Sequence, residues 1–262
     1  MKMAVSTRYA IKSLTRHLRR SLLSAGGITL GCAASILLVS FFRGEHNMIQ
    51  KAAAENGNGH LCVAPQCWVK TRDSRLRLPD WQKQLDALRR MDGVRAAAPR
   101  ARTEALLGFG TRTAGVEIVA VSPTDEPEIN RLIRQMAAGR YLRDGDRNAM
   151  VVGRAVARQL DVTVGDDLVV TMSGKDGLIS GAMFRIRGVV TTGSRQLDGT
   201  ICHVPLADLE RVTGREGATE INVLLDNPKE LPVFLSRVKE KMPGHASVLT
   251  WKHLVPELAA AL

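Results

Sequence analysis

Aromatic side chains make up only 4% of this 262-residue chain, too few for a surface that stacks on nucleic-acid bases. No Walker A loop is present. Gly174-Lys175 is followed by Asp176, and Val169 stands where the loop's first glycine belongs, so ATP has no phosphate cradle here. Gly-x-Ser-x-Gly and His-Glu-x-x-His are also missing, which removes the signatures of a serine-hydrolase elbow and a zincin helix. Nothing repeats at a fixed period, and no segment is of low complexity. A mean hydropathy of -0.05 is too low for a chain that crosses a membrane many times. Any membrane character is therefore local.

Acidic residues are absent from the first twenty positions, where Lys2, Arg8, Lys12, Arg16, Arg19 and Arg20 contribute six of the net +11 charges. The remaining five are spread over the rest of the chain among acids, the pattern of a solvated surface. This distribution excludes nucleic acid as a partner. Directly after the basic leader, Ser21–Phe42 reads SLLSAGGITLGCAASILLVSFF, without a charge. As a helix it would extend about 33 Å, enough to cross a hydrocarbon core of about 30 Å. Past the run, Arg43 and Lys51 are the nearest basic residues, with Glu45 between them. The asymmetry places residues 1–20 in the cytoplasm and the bulk of the chain outside it. A cleaved signal peptide is the alternative, but its apolar region is usually about 7–15 residues, and the small residues Ala52-Ala53-Ala54 lie ten residues beyond this run. The reading is a retained single-pass anchor.

Within the run, Gly27 and Gly31 form a small-xxx-small pair, widened by Ala25, Gly26, Cys32, Ala33 and Ala34. Glycines on one helix face let a second helix approach closely in lipid, although glycine is also simply common in membrane helices. Gly27 and Gly31 are taken as helix-packing residues. Tyr9, Ile11, Leu14 and Leu18 alternate with the leader's basic residues, the pattern of an amphipathic helix on an anionic lipid surface.

Beyond the anchor, strands and helices mix as in an α+β protein. Strands are expected at 60–64, 94–98, 104–109 and 115–121, and helix at 79–91 with Asp80 as its cap. The segment AMVVGRAVARQLDVTVGDDLVVT (149–171) reads as a strand, a turn at Gly153, a helix over 154–160, a turn at 164–167 and a strand from 168. Further strands are expected at 184–190, 201–204, 220–225 and 245–250, with helices at 206–212 and about 228–241.

His60, Cys62 and Cys67 are the nearest approach to a soft metal-ligand cluster, but they lack the second pair that gives zinc spacing its force. A Cys62–Cys67 disulfide suits an oxidising compartment, with Pro65 permitting the chain reversal; two buried small residues are the plain alternative. Asp166 and Asp167 beside Gly165 read as turn chemistry rather than as catalytic carboxylates. Asp198 reads as a loop residue without an evident partner. No catalytic residue, cofactor or metal is assigned.

Taken in order, RRSLLSAGGITLGCAASILLVSFFRG, GHLCV, VVGRAVARQLDVTVGDDLVV, GVVTTGSRQLDG and VPLADLE resemble ABC-transporter permeases of the MacB/LolC/LolE superfamily. The likeness runs over essentially the whole chain and is nearest the lipoprotein-releasing branch, through GHL at 59–61 and TTG…D at 191–198. It implies a transmembrane helix followed by a two-lobed periplasmic domain. A βαβ-rich lobe would comprise 43–120 and 215–250, and an inserted, mainly β lobe 121–214. It also implies an inner-membrane, non-enzymatic subunit that couples a cytoplasmic ABC ATPase to lipoprotein release or MacB-type export. The partners implied are that ATPase, further transmembrane helices or a second permease copy, and lipoproteins or other periplasmic proteins. Members of the family continue into three more transmembrane helices, and residues 251–262 are where that segment would begin. A split permease, a truncated product and a single-span protein all fit. The alternative function is a membrane-tethered periplasmic binding or scaffold protein without transport.

Overall fold

The computed structural model describes residues 18–66, 68–71, 73–175, 177–242, 244 and 246–250. Helix α1 (Leu18–Glu55) contains the apolar run, and its segment Leu22–Gly44 has a mean hydropathy of 2.0. Every residue of that segment is exposed among the described residues. The residues up to Gln50 form one unit and those from Lys51 onward a second, compact one. The amphipathic leader and the segment 251–262 fall outside the described residues.

In the second unit, ten strands join in one ladder: β1 (Leu61–Pro65), β2 (Val94–Phe109), β3 (Arg112–Val121), β4 (Met136–Gly139), β5 (Ala149–Gly153), β6 (Asp167–Ser173), β7 (Ile179–Val190), β8 (Cys202–Pro205), β9 (Glu220–Leu225) and β10 (Ala246–Thr250). Four helices of seven residues or more accompany them: α2 (Trp81–Arg89), α3 (Arg154–Leu160), α4 (Leu206–Thr213) and α5 (Leu231–Lys241). β1 and β2 both run antiparallel to β9, which lies between them, so β1–α2–β2 is a split βαβ unit. Leu85 and Leu88 of α2, with Phe234 and Val238 of α5, bury Leu61, Val63, Ile221 and Val223 in one core.

On the other side of β2 the ladder closes on itself. β2 pairs with β3, β3 with β8, β8 with β5, β5 with β7 and β7 with β6, and β6 returns to β2 at Ala105–Gly108. A closed ring of strands leaves no unpaired edge. Its interior is a second core of Leu107, Ile118, Met150, Leu168, Phe184 and Ile186, to which α3 adds Val156 and Leu160. Strand β6 has the expected period of two, with Leu168, Val170 and Met172 buried and Val169 half exposed on the outside. β2 serves both cores, with Ala97 in the first and Ala101 and Leu107 in the second.

Two local expectations are corrected. Pro99 lies inside a continuous β2 and does not divide it. The β2–β3 register begins at Arg100, so Pro99 is not required to donate a hydrogen bond to β3. Asp80 stands before α2 with φ +49°, and its side chain makes no capping bond. Its carboxylate pairs with Lys83 at 3.3 Å, while Gln84 Nε2 donates to the Pro79 carbonyl at 2.7 Å.

Candidate functional site

Gly27 and Gly31 lie on the exposed part of α1, and a Cβ built on either meets no heavy atom within 4 Å. The hydroxyls beside them are satisfied within the helix. Thr29 Oγ1 donates to the Ala25 carbonyl at 2.8 Å and Ser35 Oγ to the Gly31 carbonyl at 2.9 Å. That surface makes no polar demand on a neighbour and is open to close packing.

The two motif segments meet at the barrel end. A Cβ on Gly153 would lie 1.9 Å from the Asp198 carbonyl oxygen, so only glycine lets β5 turn into α3 against the TTG…D loop. Asp198 is buried and does have partners, contrary to expectation. Its carboxylate accepts from Thr192 N at 2.7 Å, Thr192 Oγ1 at 2.8 Å and Thr191 Oγ1 at 3.2 Å. The two threonines and the aspartate thus form a closed loop latch. Asp166 performs the expected turn chemistry, accepting from Thr163 N at 2.7 Å, whereas Asp167 pairs with Arg185 on the adjacent strand.

The GHL segment is a second junction. Gly59 has φ +69°, and a Cβ there would lie 2.6 Å from the Val223 carbonyl oxygen. His60 N donates to that carbonyl at 2.8 Å, and His60 Nδ1 accepts from Leu225 N at 2.9 Å. Burial holds the His60 pKa below its ordinary value despite the opposing pull of Glu55, so the ring is the neutral acceptor this bond needs. His60 therefore ties β1 to β9. Cys62 Sγ lies 3.8 Å from Glu220 Oε2. Cys67 falls outside the described residues, and the Cys62–Cys67 pairing with it.

Sequence reading missed a band of charge that is buried on β9 and β2 and ends at the exposed Glu117 of β3. Arg100 and Glu126 are almost fully buried and paired through both guanidinium and carboxylate, with Nε donating to Oε2 at 3.0 Å; Asn130 Nδ2 adds a bond to Glu126 at 2.8 Å. Arg102 donates to Glu220 and to Glu117, each at 2.9 Å. Burial alone would raise the Glu220 pKa, but Arg102 and Arg100 outweigh it and hold the carboxylate below its usual range. The period-two spacing of Arg100 with Arg102 and of Glu220 with Asn222 was the available signal.

Cys202 and His203 are neighbours in sequence but face opposite sides of β8. Cys202 packs in the barrel core 3.8 Å from Met150 Sδ, and burial pushes its thiol up to about 12. His203 Nδ1 shares a 2.8 Å hydrogen bond with Tyr141 Oη, and burial pulls the imidazole down to about 4. The two cannot act together as nucleophile and base.

An apolar helix followed in sequence by a folded domain has counterparts among known proteins. Residues 21–241 match the MacB-like periplasmic core domain family. The chain belongs to that family. It is 24% identical over 238 residues to the lipoprotein-releasing system transmembrane protein LolC of Xylella fastidiosa (strain Temecula1), covering 88% of this chain and 55% of the relative. With LolE of Haemophilus influenzae it shares 24% over 215 residues, covering 78% and 50%. The chain thus spans about half the length of these curated relatives. Among solved structures, the periplasmic region of MacB from Actinobacillus actinomycetemcomitans superposes with a TM-score of 0.55 at 11% identity, over 78% of this chain and 94% of that one. The extracellular domain of the ABC-type transporter YknZ from Gram-positive bacteria gives 0.51 at 13%, over 72% and 98%. The split βαβ sheet and closed barrel described above are accordingly this chain's version of a MacB-like core domain.

Proposed function

We propose that this chain is the anchoring and periplasmic part of an ABC-transporter permease of the lipoprotein-releasing or MacB type. The observation that carries the reading is the match to the MacB-like core domain over residues 21–241, which includes the apolar helix as well as the folded domain. In this reading the helix crosses the inner membrane once, with the basic leader cytoplasmic and the domain periplasmic, in keeping with the charge asymmetry of its flanks. Gly27 and Gly31 seat the helix against a partner helix. The two cores correspond to two lobes, one built on the split βαβ sheet and the other on the six-strand barrel, with β2 shared between them. The ATPase is a separate subunit, and motion of the packed helices reaches the domain to act on lipoproteins or other periplasmic proteins. Purification of the full chain from its native membranes in mild detergent tests this. An ABC ATPase and a further transmembrane subunit are expected to accompany it, and recovery of the chain with neither would refute the reading.

A further inference from the structure

Buried guanidinium groups are costly unless an anion compensates them. Arg100 and Arg102 obey this rule through Glu126, Glu220 and Glu117. Arg77 and Arg215 form no such close ion pair among the described residues, although Glu210 attracts Arg77 and Asp73 attracts Arg215 from farther away. Arg215 is only 8% exposed, and among the described residues its guanidinium donates to the Gly174 carbonyl and pairs with no carboxylate. Arg77 Nη1 donates to the carbonyls of Ser74 and Leu76, at 2.5 and 2.9 Å, and to Thr219 Oγ1 at 3.3 Å, while its buried Nε has no partner among the described residues. Burial first, and the neighbouring Arg215 second, depress the Arg77 pKa, against the pull of Glu210. The nearby acids already have closer partners than these two arginines. Asp73 is held by Arg75 through both carboxylate oxygens, and Glu210 Oε1 accepts from Gly217 N at 2.8 Å.

Arg215 opens onto a cleft of about 550 Å³ between the β6–β7 hairpin and the 73–75 loop. Every side chain lining it is polar: Asp73, Ser74, Arg75, Ser173, Lys175 and Arg215. The hairpin side is fixed in place, since Lys175 N donates to the Thr213 carbonyl at 2.8 Å just before Arg215 in the chain. With the Asp73 carboxylate neutralised by Arg75, the Arg215 guanidinium, the Lys175 ammonium and the hydroxyls of Ser74 and Ser173 remain to match a tetrahedral oxyanion, and the polar walls leave nothing for an acyl chain to bury against. We infer that this cleft binds a phosphate group, either free or on a lipid headgroup, through Arg215 and Lys175, with Arg77 as the cation behind them. The inference stands independently of the transporter reading.

Calorimetric titration of the full chain in nanodiscs of neutral lipid tests it, with inorganic phosphate in one arm and short-chain phosphatidylglycerol in the other. Saturable binding in either arm is expected. Phosphate binding identifies a free anion as sufficient, and binding of phosphatidylglycerol alone identifies the headgroup. Arg215→Gln should weaken the interaction by at least about tenfold. Lys175→Gln, on an exposed side chain whose loss leaves the fold intact, should weaken it by about three- to tenfold. Absence of binding in both arms, or wild-type affinity in Lys175→Gln and Arg215→Gln, would overturn the inference.

Discussion

Glycine does opposite work in the two units of this protein. In the apolar helix, Gly27 and Gly31 have no heavy atom of the described residues within 4 Å of where a side chain would begin. In the folded domain, Gly59 and Gly153 are pressed against the backbone of Val223 and Asp198. The first pair leaves room for something outside the chain, and the second pair closes the chain upon itself. The same division holds for apolar surface: Leu22–Gly44 is exposed on all sides, whereas the domain encloses two cores. Among the described residues, the folded domain buries its apolar side chains in its own cores, and the apolar helix leaves its side chains exposed.

Substitutions that probe the closed junctions should have the largest effects. Gly153→Ala places a methyl group where Asp198 backbone already lies, and neither can move without opening the barrel end. A loss of about 3 kcal/mol or more is expected in denaturant unfolding, with complete failure to fold as the extreme outcome. A Gly153→Ala variant as stable as the parent would show that the junction is slack. Removing one member of the buried charge pair comes next. Arg100→Met alone should cost about 3–5 kcal/mol by leaving Glu126 uncompensated, whereas adding Glu126→Leu should restore much of it. Equal losses in the single and double variants would mean that the pair is not coupled.

The pH dependence is smaller and has a definite sign. Burial lowers the folded-state pKa of His203 from 6.5 to about 4, so between those values the unfolded chain holds the extra proton. Stability is therefore full above about pH 6.5 and falls as the pH drops towards 4, by an amount on the order of 3 kcal/mol. Asp146, held down to about 2 chiefly by its hydrogen bonds with Arg140, continues the decline below pH 4. His203→Gln keeps an acceptor for Tyr141 and should flatten the upper part of this profile, leaving the lower part unchanged. An unaltered slope between pH 6.5 and 4 would remove His203 from the account.

Local structure was largely legible in the sequence, because it depends on neighbours in the chain. The helix Arg154–Leu160 and the strand Glu220–Leu225 stand where their apolar spacing and bounding glycines and acids placed them. The short strand Met136–Gly139 was not legible, since its four residues carry no alternation and its pairing with β7 defines it. Asp80 followed the residue preference for a cap but not the geometry, because its backbone is left-handed there. At the junctions, the glycines of GHL and VVG marked tight places without naming what approached them. Asp198 looked idle because its donors, Thr191 and Thr192, become partners only once the loop turns back. The pairing of Arg102 with Glu220 spans 118 positions and needs the β2–β9 register before it can be seen.

The anchor face is where the account is most directly tested. The measurement is recovery of the ABC ATPase with the full chain from native membranes, compared between the parent and the Gly27→Leu, Gly31→Leu double variant. With no heavy atom of the described residues within 4 Å of either added Cβ, the double variant should unfold within about 0.5 kcal/mol of the parent. The predicted result is loss of the ATPase and of the transmembrane partner from the variant, with the domain's unfolding unchanged. Full recovery of both by the variant would contradict the claim that these glycines seat the anchor against another helix.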